Sequence, residues 1–262
     1  MNRVSNRVFR LIAVAFTSLG LFAGSAAAAT QVYVDGIDAA FPPFSFIDQT
    51  GQPSGFDVEV VQWIAQELGF EVVIVPVDWD AIIPTLLTGE IDLIASGMSI
   101  TAARALRVSF TEPYWSVDLA VVVQEQTDED GEPFPEFNLF TLMQAGKRIG
   151  VQRGTTSQTW LEENVVASGV EVELVLYDNF LLALEDLEIG RVDGAVMDAP
   201  TAKLSVSDRP LTIVGTIATG EIYGYAVRPQ DGNLRDLLNE GLRLIQATDV
   251  WDTLVEKWLV GT

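Results

Sequence analysis

One pattern occurs twice in this chain. The stretches LLTGEIDLIAS (86–96) and DLEIGRVDGAVMD (186–198) each consist of a helix end, a Gly, one charged residue, an apolar residue, an Asp and a buried strand that ends in a polar group. Strands that alternate with helices in this way are typical of α/β layering. The recurrence therefore predicts two similar α/β lobes. Ligands bind beyond the carboxyl ends of the strands in open α/β sheets, which directs attention to Ser96, Gly97 and Asp198.

Strands and helices alternate through most of the remaining chain. QVYVDGI and EVVIVPV predict strands on either side of the amphipathic helix GFDVEVVQWIAQELGF, and RIGVQRG and VEVELVLY predict strands of the second lobe. Near the C-terminus, GEIYGYAVRP predicts one further strand, and residues 233–259 predict two closing helices with apolar faces. Because periodicity does not identify the partner of such a face, these helices can pack on either lobe.

The first 29 residues have the pattern of a secretory signal peptide. MNRVSNRVFR carries three arginines and no acid, LIAVAFTSLGLFAG is apolar, and SAAAA supplies the small residues of a cleavage site. Cleavage is expected near Ala28 or Ala29. The alternative is a retained membrane anchor, which the short apolar run disfavours. We therefore expect a soluble periplasmic protein.

Composition excludes several kinds of function. The chain has no Cys and no His, which excludes disulfides, imidazole catalysis and zinc sites of the N/S type, so we expect no metal and no cofactor. Without the three signal arginines, 12 basic residues face 37 acidic ones, a net charge of −25. Such a charge repels nucleic acid and anionic membranes. The acid excess and the presence of only three lysines fit either a salt-adapted source or simply an acidic secreted protein.

The stretch ASGMSITAAR (95–104) predicts an anion-binding position. Thr101 is a candidate helix N-cap, and the position three residues later favours an acid, yet it holds Arg104. With Ser99 and free backbone amides nearby, a guanidinium there suits a carboxylate. The alternative is a solvated surface arginine. In the second lobe, RGTTSQ (153–158) offers Thr155 and Thr156 at a helix start, either as donors to a ligand or as a plain N-cap.

Opposite charges from the two lobes suit a zwitterion. Asp198 ends a buried strand, where a carboxylate either caps the following helix or binds an ammonium group. Arg104 would then bind a carboxylate. Phe41 and Trp79 stand at strand-to-helix turns, and each is either a core residue or one face of a slot for a ligand side chain. Asp38 lies three residues before Phe41 and either caps its own turn or adds a carboxylate to that slot.

An ordered set of motifs resembles a known family. DGIDAAFPPFSF, GFDVEV, VDWDAIIPTLLTGEIDLIASGMSIT, SFTEPYW, GKRIGVQRGTT and GRVDGAVMD look like the periplasmic solute-binding proteins of amino-acid ABC importers, over essentially the whole chain after the signal. The resemblance implies the two-lobe periplasmic-binding-protein fold of type II with two crossing hinge strands. It implies lobe 1 at 30–118 and 221–262, and lobe 2 at 119–220.

The resemblance also assigns roles to residues. It implies that Arg104 binds the ligand α-carboxylate with help from the backbone of Ser99 and Thr156. Asp198 is implied to bind the α-ammonium beside the Gly97 carbonyl and the Ser99 hydroxyl. The remaining implied contacts surround the ligand side chain: the aromatic pair Phe41 and Trp79, the polar group Asp38, and further pocket positions at Ser96, Gln152 and Thr155.

These features predict a ligand-capture protein and not an enzyme. We expect a monomer that binds one free L-amino acid and delivers it to an ABC permease in the inner membrane, with a cationic side chain preferred, arginine before lysine or ornithine. Two alternatives remain open. One is a polar ligand such as glutamine, and the other is a cyclohexadienyl or arogenate dehydratase, which resembles the same family.

Overall fold

The structure is a computed structural model that describes residues 30–260, so the predicted signal peptide lies outside the described residues. The strands are β1 (Val32–Ile37), β2 (Ala40–Phe41), β3 (Ser45–Ile47), β4 (Pro53–Ser54), β5 (Glu71–Pro76), β6 (Leu93–Ile94), β7 (Ser109–Phe110), β8 (Trp115–Thr127), β9 (Pro133–Pro135), β10 (Arg148–Gln152), β11 (Glu173–Tyr177), β12 (Gly194–Asp198), β13 (Leu211–Tyr223) and β14 (Ala226–Val227).

The helices alternate with these strands. They are α1 (Phe56–Leu68), α2 (Trp79–Thr88), α3 (Ala102–Ala105), α4 (Leu139–Leu142), α5 (Thr156–Leu161), α6 (Phe180–Glu188), α7 (Ala199–Val206), α8 (Gly232–Gln246) and α9 (Asp249–Val255), with π-helical turns at Glu162–Val166 and Glu256–Val260. Within residues 30–260, no helix is both long and apolar enough to span a bilayer.

Two sheets of similar design form the two lobes. In the first sheet, the strand order is β5-β1-β6-β14-β7, with β1 parallel to both β5 and β6. In the second, the order is β11-β10-β12-β8-β13, with β10 parallel to both β11 and β12. The repeated sequence pattern supplies β6 and β12, each of which lies beside the central parallel strand of its sheet. The two-lobe α/β fold predicted from the sequence is therefore confirmed.

The long strands β8 and β13 connect the lobes. They pair antiparallel from Trp115 with Tyr223 to Gln124 with Leu211, and the register shifts between Ile217 and Glu221. The prediction of one strand across GEIYGYAVRP was wrong. β13 ends at Tyr223 with β8 as its partner, whereas β14 pairs with β6 and β7 of the first sheet. Two strands form because the chain changes sheets at this point.

The closing helices α8 and α9 both pack on α1 and so cover the first lobe. Leu238, Leu242 and Ile245 of α8 are buried. In α9, the Trp251 ring meets Phe56 edge to face, with 5.2 Å between ring centroids. These contacts resolve the alternative that periodicity left open.

A buried carboxylate organises the first lobe beneath the cleft. Asp57 Oδ2 accepts hydrogen bonds from the Gly97 backbone N–H at 2.7 Å and from the Tyr114 hydroxyl at 2.9 Å, and Oδ1 accepts from the Tyr225 hydroxyl at 3.2 Å. Burial raises the pKa of Asp57 to about 7, against the lowering effect of these bonds. One side chain thus joins the loop after β6 to the residues that flank β8 and β13.

Candidate functional site

The cleft between the lobes contains a cavity lined by residues of both. From the first lobe come Asp38, Phe41, Trp79, Gly97, Ser99 and Arg104, and from the second come Gln152, Thr155, Thr156, Phe180 and Asp198. The structure therefore brings together every residue predicted for the site except Ser96. Ser96 lies behind the cavity wall, where its Oγ accepts from the Asp38 backbone N–H at 2.9 Å and lies 2.7 Å from Ser45 Oγ.

Arg104 extends from the first lobe across the cleft. Its Nη1 donates to the Ser99 carbonyl at 2.9 Å and its Nη2 donates to the Gly154 carbonyl of the second lobe at 3.1 Å. The guanidinium carbon lies 5.2 Å from the centre of the Trp79 ring. Burial lowers the pKa of Arg104, while Asp198 and Glu221 oppose that effect, and an arginine in such surroundings stays charged.

The helix that carries Arg104 is a single turn. The predicted N-cap is confirmed, since Thr101 Oγ1 accepts from the Arg104 backbone N–H at 3.2 Å. However, α3 ends after four residues. So short a helix has little macrodipole, and a cation in its first turn meets little opposition. The position of Arg104 is explained by its carbonyl partners rather than by the helix end.

The turn before α5 contributes backbone and hydroxyl groups. Thr155 caps the helix, because its Oγ1 accepts from the Gln158 N–H at 3.3 Å and donates to the Gln152 carbonyl at 2.7 Å. The predicted N-cap is therefore confirmed for Thr155, which also lines the cavity. The Gly154 carbonyl also accepts from Trp79 Nε1 at 3.2 Å, which adds a second contact between the lobes.

Asp198 is a buried carboxylate with unused acceptor capacity. It occupies the N-cap position of α7, but its side chain makes no capping bond, and its Oδ1 has no hydrogen bond of good geometry among residues 30–260, where the Tyr223 hydroxyl is a nearby donor. Burial raises the pKa of Asp198 to about 7, and the charge of Glu221 adds to the rise, while Tyr223 and Arg104 oppose it. A buried acceptor without a donor is costly unless a ligand supplies one.

The far end of the cavity combines a carboxylate with aromatic rings. Asp38 Oδ1 accepts from the Ala40 N–H at 3.0 Å, whereas Oδ2 accepts from Gln152 Nε2 of the second lobe at 2.7 Å. Asp38 therefore caps its own turn with one oxygen and directs the other into the cavity. Burial raises the pKa of this carboxyl, and the bond from Gln152 partly offsets the rise.

Sequence reasoning missed Phe180. Its ring centroid lies 5.9 Å from that of Phe41, so it adds an aromatic wall from the second lobe. Phe180 is the first residue of α6 after the cap Asn179, just as Trp79 is the first residue of α2 after the N-cap position Asp78. The equivalence of the lobes would have identified it.

Glu221 was missed as well. It lies on β13, and its Oε2 accepts from Ser99 Oγ at 2.7 Å. It also lines a second, outer cavity of about 760 Å³ at the mouth of the cleft, together with Trp79 and Thr156. A charged residue at the predicted lobe boundary between residues 220 and 221 was the available signal.

Direct contacts between the lobes leave the inner cavity only about 10 Å³. The bonds Gln152–Asp38, Arg104–Gly154 and Trp79–Gly154 all span the cleft. Sites for small molecules usually measure some 300–1,000 Å³. Accommodating a ligand therefore requires the lobes to separate and these bonds to be exchanged for bonds to the ligand.

Gly97 has a backbone conformation and a close contact with Phe41 that a residue with a side chain cannot adopt without strain, so its replacement should distort the binding site. Gly97 has φ +55°, and an added Cβ would collide with the Phe41 ring. We expect Gly97→Ala to lower the free energy of unfolding by at least ~1–2 kcal/mol and to weaken ligand binding. Denaturant unfolding and calorimetry measure both effects.

Gly69→Ala provides the matched control. Gly69 has φ +75° at the end of α1, with no atom within 4 Å of an added Cβ. Gly69→Ala therefore has the energetic cost of a positive φ at a residue with a Cβ, but no steric collision with a neighbouring side chain. Equal binding losses in the two variants would show that contact with Phe41 does not shape the site.

Comparisons with known proteins cover both lobes. The profile of the bacterial extracellular solute-binding proteins, family 3, matches residues 33–261. The ABC transporter arginine-binding protein 1 of Escherichia coli (strain K12) is 30% identical over 248 residues, which cover 92% of this chain and 95% of that protein. A solved structure of an ancestral arginine-binding protein bound to arginine is 36% identical, with a TM-score of 0.78, and covers 87% of this chain and 97% of its own.

A further solved structure is an ancestral amino-acid-binding protein described as a precursor of cyclohexadienyl dehydratase. It is 31% identical, with a TM-score of 0.76, and covers 87% of this chain and 95% of its own. The matched region of the family profile includes every residue that lines the inner cavity.

Proposed function

Because the chain belongs to the bacterial extracellular solute-binding proteins of family 3, we propose that it captures a free L-amino acid between its lobes and delivers it to an ABC permease. In this proposal the protein acts as a periplasmic monomer after removal of its signal peptide. It is a binding protein and not an enzyme.

One observation carries the proposal: unlike charges line one cavity from opposite lobes. Arg104 belongs to the first lobe and Asp198 to the second. An amino acid offers a carboxylate to Arg104 and an ammonium to Asp198, whose Oδ1 has acceptor capacity to spare. A ligand shifts the balance between open and closed forms only by what it gains from touching both lobes. A zwitterionic amino acid contacts both lobes, because its carboxylate binds Arg104 and its ammonium binds Asp198.

We propose arginine as the preferred ligand because of the carboxylate at the far end of the cavity. Asp38 is 6% exposed, and its Oδ2 already accepts an amide N–H from Gln152. A guanidinium replaces that amide with a charge-assisted bond, and its flat face suits the rings of Phe41 and Phe180. The names of the arginine-binding relatives support the same choice. Glutamine is the alternative, since its amide can also donate to Asp38.

Competition calorimetry with arginine, lysine, ornithine, glutamine and glutamate tests this preference. We expect arginine to bind tightest, lysine and ornithine next, and glutamate weakest, because Asp38 repels an acidic side chain. Asp38→Asn should weaken arginine binding about tenfold or more and leave glutamine within a few-fold, consistent with the loss of one charge-assisted bond. Tightest binding of glutamate would contradict a carboxylate at the side-chain end.

A dehydratase is the competing function, because one structural neighbour is described as the precursor of such an enzyme. Its chemistry requires an acid poised to donate a proton to the substrate. Asp198 has a raised pKa but is the residue that we assign to the ligand ammonium. Incubation with arogenate separates the two functions, since the formation of phenylalanine would establish the enzyme.

A further inference from the structure

Glu221 and Ser99 meet where the second long strand passes the binding loop. Ser99 forms an isolated antiparallel bridge with Tyr223, and the Ile100 N–H donates to the Ile222 carbonyl at 2.8 Å. This backbone pairing brings Ser99 Oγ within 2.7 Å of Glu221 Oε2. Ser99 is 3% exposed, so its hydroxyl has little access to water as an alternative partner.

The pairing determines which way the Ser99 hydroxyl donates. A hydroxyl has one donor hydrogen and two acceptor lone pairs, whereas a carboxylate can only accept. The hydrogen therefore points to Glu221, and the lone pairs of Oγ remain for another donor. The Ser99 carbonyl accepts one bond from Arg104 Nη1 at 2.9 Å. Oγ is thus the side-chain acceptor that Ser99 offers to the cavity that it lines with Asp198.

We propose that Glu221 is a positioning residue that holds the Ser99 hydroxyl as an acceptor and so makes the site select a protonated amine. The inference deepens the proposed function and rests on it. A ligand ammonium has three hydrogens to donate, and Asp198 and Ser99 Oγ supply two of the acceptors. A ligand that carries a hydroxyl in place of the amine gains less from this arrangement, because it has only one hydrogen to donate.

The site also gains negative charge from Glu221. Its carboxylate raises the pKa of Asp198 and acts on Arg104, so it belongs to the same electrostatic cluster. If Glu221 acted only through its charge, its effect on ligand binding would not depend on the hydrogen bond to Ser99. The positioning role depends on the bond to Ser99, and the two can be separated by experiment.

The test uses L-arginine and its 2-hydroxy analogue, which lacks the ammonium, as probes for calorimetry. In Glu221→Gln, the new amide can donate to Ser99 Oγ and turn the hydroxyl hydrogen toward the cavity. We expect arginine to bind about tenfold more weakly and the 2-hydroxy analogue to change less than twofold, so that selectivity for the amine falls about tenfold. Circular dichroism and thermal unfolding confirm that each variant is folded.

Two controls separate positioning from charge. Glu163→Gln removes one negative charge from the exposed wall of the outer cavity and should leave selectivity unchanged. In a Ser99→Ala background, Glu221→Gln should change arginine affinity less than twofold, because residues that act through one bond are not additive.

Equal losses for both probes, or additive losses in the double variant, would overturn the positioning role while leaving amino-acid capture intact. A wild-type protein that binds no amino acid would overturn the proposed function, and this inference with it. A wild type that binds arginine, combined with unchanged selectivity in Glu221→Gln, would contradict the inference alone.

Discussion

Replacing Arg104 with alanine should abolish measurable binding of every amino acid, not merely change the preference among them. The α-carboxylate is common to all candidate ligands, and Arg104 is the cation that lines the inner cavity in the described part of the chain. Leaving a buried carboxylate without its charged partner costs roughly 3–5 kcal/mol, which corresponds to a loss of about 150-fold to 5,000-fold in affinity. Calorimetry with arginine and glutamine measures the effect.

Two further substitutions give this experiment its controls. Arg104→Lys keeps the charge but loses the two-pronged fork that now reaches Ser99 and Gly154, so we expect it to recover only part of the affinity. Arg107→Ala removes a cation from the wall of the outer cavity and should bind almost normally. Retained micromolar affinity in Arg104→Ala would refute the assignment of the carboxylate site.

Amino-acid affinity should fall about tenfold for each pH unit below about 7. In the free protein, burial and Glu221 hold the pKa of Asp198 near 7. The ligand ammonium stays charged throughout the acid range and favours the ionised carboxylate. A protonated Asp198 must therefore release its proton before it can bind the ligand. Each pH unit costs about 1.4 kcal/mol, so binding at pH 5 should be roughly a hundredfold weaker than at pH 8.

Calorimetry between pH 5 and 8.5 in buffers of different ionisation enthalpy tests this linkage. About one proton should leave per ligand bound near pH 6. Asp198→Asn should bind weakly and show a flat profile over the same range. Glutamine is the ligand of choice here, because the pKa of Asp38 is also raised and would add its own pH dependence to the binding of arginine. A pH-independent affinity in the wild type would refute the role of Asp198.

Local patterns in the sequence predicted the two lobes and, together with the resemblance to the family, every residue that lines the inner cavity except Phe180. Arg104 was found because a cation stands where a helix start favours an acid, and Asp198 was found because a carboxylate ends a buried strand. Both signals are local. The strand break after Tyr223 was not predicted, because it depends on which sheet each half joins, and such partners are distant in the chain.

The contacts that span the cleft were beyond sequence reasoning for the same reason. Asp38 and Gln152 meet only because the lobes approach each other, and the bond between Ser99 and Glu221 depends on the pairing of Ser99 with Tyr223, which is distant in the chain. Phe180 is a different case. Its place at a helix start matches that of Trp79, and a comparison of the two lobes position by position would have predicted it.

The three hydrogen bonds of Asp57 stiffen the first lobe, and this stiffness affects how a permease can recognise the loaded protein. Since this carboxylate ties the Gly97 loop to Tyr114 and Tyr225, the ligand-facing loop and both strand connections belong to one stiff unit within the first lobe. We therefore expect the outer surface of that lobe to change little when the cleft opens or closes. A permease that distinguishes loaded from empty protein is then expected to contact both lobes and to respond to the distance between them.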